Sequence, residues 1–136
     1  MYLVDTNIFV EIHLQQERAE EAKQFLNHPS AGKLYCTEFS IYSIGIILLR
    51  RNRSLDFLKF IKDTLQENKV LLLRLSMEEM NALSKFAESY NLDFDDAYQY
   101  TIAENYDLQL VSFDTDFDRT ERGRVTPQQV LERLKQ

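Results

Sequence analysis

Two segments far apart in the chain end alike: an apolar run stops at an aspartate. Tyr2-Leu3-Val4 runs into Asp5-Thr6-Asn7, and Leu108 to Phe113 runs into Asp114-Thr115-Asp116-Phe117-Asp118. A third group, Asp93-Phe94-Asp95-Asp96, opens a helical stretch between them. Carboxylates just past the ends of buried strands gather at the carboxyl edge of a sheet, where open α/β folds place their sites. An oxygen-only cluster there suits Mg²⁺ or Mn²⁺.

Each group also has a plainer reading. Asp5, Thr6 and Asn7 are all good helix N-caps. Asp93 serves as a cap, and Asp95 and Asp96 are favoured in a first turn by the helix dipole. Successive helical residues diverge by about 100°, so Asp95 and Asp96 cannot both aim at one ion. Asp96, beside the apolar face of Ala97 and Thr101, is the one placed at the sheet margin. The alternating acids from Asp114 suggest a calcium loop, but no glycine stands sixth and no glutamate twelfth. Asp118 has a surface pairing with Arg119 or Arg122 as its plain reading.

The elements that must position these acids follow from periodicity. Apolar runs at 2–4, 34–37, 70–73 and 108–113 are continuous rather than alternating, as in strands covered on both faces. Between them lie helical patterns. One carries Ala19, Ala22, Phe25 and Leu26; another carries Ile41, Ile44, Ile47 and Leu48. Ser54 is a candidate cap for a helix with Leu55, Leu58, Ile61 and Leu65. Ser76 with Glu79 makes a candidate capping box, and Asp93 caps the next helix. Thr126-Pro127 opens the last, with proline at its tolerated first position. Strands alternating with helices imply right-handed crossovers and a parallel sheet. The expected architecture is a three-layer α/β/α sandwich with a central parallel sheet of about four to five strands, spanning residues 1–136 as one domain.

Composition narrows the function. Of 136 residues, 44% are hydrophobic and 28% charged, an ordinary globular mix. No apolar run reaches the roughly 18 residues that span a membrane, and no basic segment precedes an apolar one, so neither a membrane span nor a signal peptide is expected. The single cysteine, Cys36, excludes an internal disulfide framework and fits a reducing, cytoplasmic compartment. A net charge of −6 argues against a broad nonspecific nucleic-acid coat, but metal-binding acids make a bare nuclease site acidic in any case. His13 and His28 read as exposed surface residues and Cys36 as a buried strand residue. Arg50, Arg51 and Arg53 form the one dense basic run, either a solvated helix end or a phosphate contact.

An N-terminal strand ending in Asp-Thr-Asn, a mid-chain Asp-Ala at a helix head and a late Val-Ser-Phe-Asp-Thr-Asp-Phe together resemble the PIN-domain ribonucleases. Order, spacing and length all agree. Small members are often VapC-type toxins of toxin–antitoxin pairs. The resemblance implies Mg²⁺- or Mn²⁺-dependent hydrolysis of RNA, with an antitoxin and a second copy of the chain as further partners. It puts the family's first acid on Asp5, the third on Asp96 and the fourth on Asp114, with Asp116 as a further acid. These four are the expected catalytic residues. Ser112 fills the small hydroxyl position ahead of the fourth acid. Asn7, Ser112, Arg50 and Arg51 are the expected substrate contacts.

The chain departs from the family at its second acid, usually a glutamate in the helix after the second strand. That position falls near Tyr42 or Ser43, and Glu38 is the only acid available. The expected metal set is therefore Asp5, Asp96, Asp114 and Glu38. The departure motivates an alternative: a catalytically degenerate PIN module that binds nucleic acid or a protein. A phospho-accepting α/β regulator is a further rival, disfavoured because no obvious lysine follows a late strand.

Overall fold

The computed structural model describes residues 1–67 and 69–135. Four strands form one parallel sheet: β1 (Tyr2–Val4), β2 (Leu34–Thr37), β3 (Val70–Leu73) and β4 (Gln109–Val111), in the order β3-β2-β1-β4. Val125 adds a one-residue parallel bridge to Val111 beyond β4. Seven α-helices flank the sheet among the described residues: α1 (Thr6–His13), α2 (Ala19–Asn27), α3 (Glu38–Arg50), α4 (Ser54–Phe60), α5 (Met80–Tyr90), α6 (Phe94–Tyr106) and α7 (Pro127–Leu134). The three-layer α/β/α expectation is met, with four strands.

Continuous apolar strands feed two cores. Val4, Cys36 and Val111 face one built with α1, α2, α3, α4 and α7. Leu3 and Leu110 face the other, built with α5 and α6. Leu3, Val4, Ile8 and Phe9 are fully buried, each worth about 1.5–3 kcal/mol by removal from water. These residues, flanking Asp5, hold it in place.

Caps set where side chains point. Thr37 accepts from the Ser40 N–H at 3.1 Å, so α3 starts at Glu38 immediately after β2. Thr126 and Gln129 form a reciprocal capping box with Pro127 at the first position, as expected. Three caps differ from expectation. Ser54 is already helical and Arg53 is the cap residue, with no side-chain bond. Glu79 accepts from the Ser76 N–H at 2.9 Å, yet α5 begins only at Met80. Asp93 is the residue before α6, but its side chain makes no capping bond. Both α5 and α6 end at left-handed residues, Asn91 (φ 53°) and Asp107 (φ 52°), a conformation that short polar side chains tolerate best after glycine. Gly45 lets α4 approach α3: a Cβ there would stand 3.3 Å from the Phe57 ring. No described helix is long and apolar enough to cross a membrane.

Candidate active site

β1 is flanked by β2 on one side and β4 on the other, while the chain visits β2 next and β4 last. That makes the β1–β4 boundary the topological switch point, and its carboxyl end the expected crevice. Asp5 follows β1 there and Asp114 follows β4. A pocket of about 270 Å³ opens at this edge, lined by Asp5, Asn7, Ser43, Asp95, Asp96 and Asp114 among others.

Asp5 is the anchor, only 5% exposed. Its Oδ1 accepts from the Thr6 N–H at 2.8 Å and the Gln99 amide at 2.9 Å; its Oδ2 accepts from the Ser112 hydroxyl at 2.7 Å. Burial nevertheless wins over these bonds. Desolvation pushes the Asp5 carboxyl above its ordinary range, and the nearby Asp114 charge adds to the rise.

Asp96 enters from the first turn of α6. Its pKa is raised to about 8, first by burial, then by the charges of Asp114 and Asp5. Asp96, Asp114 and Asp116 each offer an oxygen, all within 4.8 Å of one another. The loop after β4 is tightly built. The Asp114 N–H donates to Ser112 Oγ at 2.9 Å, and the Asp116 N–H to Asp114 Oδ1 at 2.8 Å. Arg119 pairs with Asp116 at 3.0 Å while donating to the Tyr90 and Asn91 carbonyls. Asp118 pairs with Arg124, at 3.1 Å, rather than with Arg119 or Arg122.

Glu38 stands elsewhere. Its carboxylate accepts from the Tyr42 hydroxyl and lies 3.9 Å from Arg74, facing a separate cavity with Phe39, Met80 and Phe94. The expectation that it joins the metal set is corrected. The reason is helical phase: positions 38 and 42 share one face of α3, whereas Ser43 and Ile47 share the face that lines the acidic pocket. Ser112 is likewise corrected as a substrate contact. It is fully buried, and its hydroxyl ties Asp5, Asn7 and Asp114 together. Asn7 donates to Ser112 Oγ and accepts from the Phe113 N–H, both at 3.2 Å, so it braces the two strand ends. Arg50 and Arg51 are exposed at the far end of α3, Arg50 about one turn past Ile47. His13, expected on the surface, is half-buried edge-on against Phe60, and burial lowers its pKa.

Gln99 is the residue that sequence reasoning missed. It is 1% exposed and lies one helical turn after Asp96. Its amide donates to Asp5 and also to Ser40 Oγ at 2.8 Å, while its Oε1 accepts from the Thr37 hydroxyl at 2.8 Å. The signal for it was a glutamine three positions from Asp96 within an otherwise buried run, since residues three apart share a helix face.

The PIN domain family model matches residues 2–123. The chain belongs to the PIN domain family. Among solved structures it resembles a toxin–antitoxin complex from Klebsiella pneumoniae, with 20% identity, a TM-score of 0.71, and coverage of 93% of this chain and 98% of that one. VapC20 from Mycobacterium tuberculosis, a toxin that cleaves the sarcin–ricin loop, is 15% identical with a TM-score of 0.73, covering 87% and 93%. The PAE2754 protein from Pyrobaculum aerophilum is 23% identical with a TM-score of 0.69, covering 98% and 94%. No curated protein sequence matches the chain.

The donors at the sheet edge fit a divalent cation. They are all carboxylate oxygens, three of them mutually close, with a fourth buried and held by donors. Hard, oxygen-preferring ions such as Mg²⁺ and Mn²⁺ suit that set.

Proposed function

We propose that this chain is a metal-dependent endoribonuclease, and that Asp5, Asp96, Asp114 and Asp116 hold its Mg²⁺ or Mn²⁺ and carry its chemistry. The observation that carries the reading is the convergence of Asp96, Asp114 and Asp116 within 4.8 Å, beside buried Asp5. Like charges so placed repel, and a cation relieves them. Held by Asp5, Asp96, Asp114 and Asp116, the ion would supply Lewis-acid activation of water and would offset charge on the scissile phosphate. The protein supplies orientation. Asp5 is fixed by three donors, and Asp114 and Asp116 are fixed through their own backbone N–H groups. Arg18 stacks over the Phe113 ring at 4.9 Å, one residue before Asp114. Together with Arg50 and Arg51 it offers positive charge to an RNA backbone.

Membership of the PIN family, and likeness to toxins of toxin–antitoxin pairs, supports an RNA substrate and an antitoxin partner in the cytoplasm. A second reading, a binding module that no longer turns over, is favoured by one observation: α3 brings no acid to the pocket. Incubation of the purified chain with structured and single-stranded RNA, with Mn²⁺ and with excess EDTA, separates the two. Cleavage with Mn²⁺ alone is expected. Cleavage in EDTA overturns the mechanism, and Mn²⁺ binding without any cleavage selects the module.

A further inference from the structure

We propose that Gln99 is a positioning residue of this centre, whose buried amide orients the Asp5 carboxylate for the metal. The proposal rests on the metal-centre reading above. Gln99 is almost wholly removed from water, and burying an amide is costly unless its donors and acceptor are all paired. Here they are. One N–H goes to Asp5 Oδ1, the other to Ser40 Oγ, and the carbonyl accepts from Thr37.

The network also fixes which way the amide points. Thr37 Oγ1 accepts from the Ser40 N–H at 3.1 Å, so its own proton is available for a carbonyl. That carbonyl is Oε1 of Gln99, at 2.8 Å. Turned the other way, the amide would set its carbonyl oxygen against the Asp5 carboxylate, where neither has a proton to share. The N–H end therefore faces Asp5. Gln99 thus links three elements: the end of β1, the start of α3 and the first turns of α6.

The consequence for Asp5 is a division of labour between its oxygens. With two lone pairs each, Oδ1 is filled by Thr6 and Gln99, while Oδ2 has accepted only from Ser112. The amide thereby fixes the carboxylate rotamer and leaves Oδ2 as the oxygen with capacity for an ion. An apolar residue of similar length would pack in the same space but release Oδ1. Groups that orient metal ligands in this way commonly matter by about 10–100-fold in metal affinity.

The test is calorimetric titration of Mn²⁺ into the full chain, wild type against Gln99→Met and Thr37→Val, with metal-free melting curves alongside. Gln99→Met is expected to weaken Mn²⁺ binding by at least about tenfold. Thr37→Val, which removes the bond that fixes the amide's orientation, is expected to weaken it in the same direction by less. Both lower the metal-free melting temperature. A merely structural glutamine lowers the melting temperature and leaves the Mn²⁺ affinity unchanged, and that result overturns the proposal. Should Gln99→Met not fold, Thr37→Val decides: wild-type affinity overturns the proposal and weaker binding supports it. Absence of Mn²⁺ binding by the wild type removes the metal-centre reading itself, and the positioning role with it. That outcome is distinct from wild-type binding that the variants retain in full.

Discussion

The pocket has two unlike walls. One, from α6 and the loop after β4, is crowded with acids: Asp96, Asp114 and Asp116 lie within 4.8 Å, and Asp96 is driven up to about 8. The other side, toward the start of α3, is neutral: Ser43 and Gln99 line the pocket, and the Gln99 amide is bonded to buried Thr37 and Ser40. Only the first is electrostatically unsatisfied. In a folded protein uncompensated like charges persist where function keeps them, and they mark functional sites more sharply than buried polarity does. On the neutral side Gln99, Thr37 and Ser40 form a paired network, which adds rigidity without storing repulsion.

The largest expected effect comes from breaking the acidic wall. Asp114→Asn and Asp96→Asn should each lower RNA cleavage by more than about 100-fold, beyond the usual cost of losing a supporting residue around a metal. Cleavage within tenfold of wild type in either variant places the chemistry elsewhere. Without metal, Asp96→Asn should also melt higher at pH 7–8, by roughly 3–5 °C for each ~1 kcal/mol of burial and repulsion cost relieved. That gain, paired with lost activity, is the trade expected of a strained site.

Sharpening the contrast from the other side, Ser43→Glu adds a carboxylate to the neutral wall. It is expected to tighten Mn²⁺ binding by about tenfold, or ~1.4 kcal/mol, and to lower the metal-free melting temperature. Unchanged affinity shows that Ser43 does not face the ion.

The acidic wall also predicts a pH dependence. Asp96 has a folded-state pKa of about 8, above its ordinary value of 3.8. Between these values the folded state holds more protons than the unfolded one, so stability falls as pH rises. Asp96 therefore contributes stability that is fully present below about pH 4 and is lost as pH rises through about 8. Melting curves across pH 4–8 should show this decline without metal and a flatter profile in Mn²⁺. A metal-free profile that rises across the whole window contradicts the placement of Asp96.

The smallest effect is expected at Glu38. It pairs with exposed Arg74 and with Tyr42 on the far face of α3, so Glu38→Gln should cost at most about 1 kcal/mol, as exposed pairs do. Mn²⁺ affinity should not move. A loss comparable with that of Asp5→Asn would restore Glu38 to the site.

Much of this was legible in the chain. The four apolar runs became the four strands because strands buried on both faces are written as continuous hydrophobic residues. Asp5 and Asp114 were singled out because each ends an apolar run, and Asp96 because it stands at the margin of a helix face. Glu38 was misread because composition offered one acid in α3, while the helix phase that turns it toward Tyr42 depends on the residue where the helix starts. Gln99 was passed over because a neutral amide draws notice only once its partners, Thr37, Ser40 and Asp5, are brought together from three segments. His13 was misplaced for a similar reason: its packing partner Phe60 lies in another helix.

The central claim is that the acids at the β1–β4 edge form a divalent-metal centre. It is tested most directly by titrating Mn²⁺ into the metal-free chain while following its melting temperature, wild type against Asp5→Asn. Binding to the folded state alone stabilises by about 2.7 kcal/mol at a hundredfold excess over Kd, so the wild-type curve should climb with Mn²⁺ and saturate, and that of Asp5→Asn should climb much less. A wild-type melting temperature that stays fixed in millimolar Mn²⁺ contradicts the account.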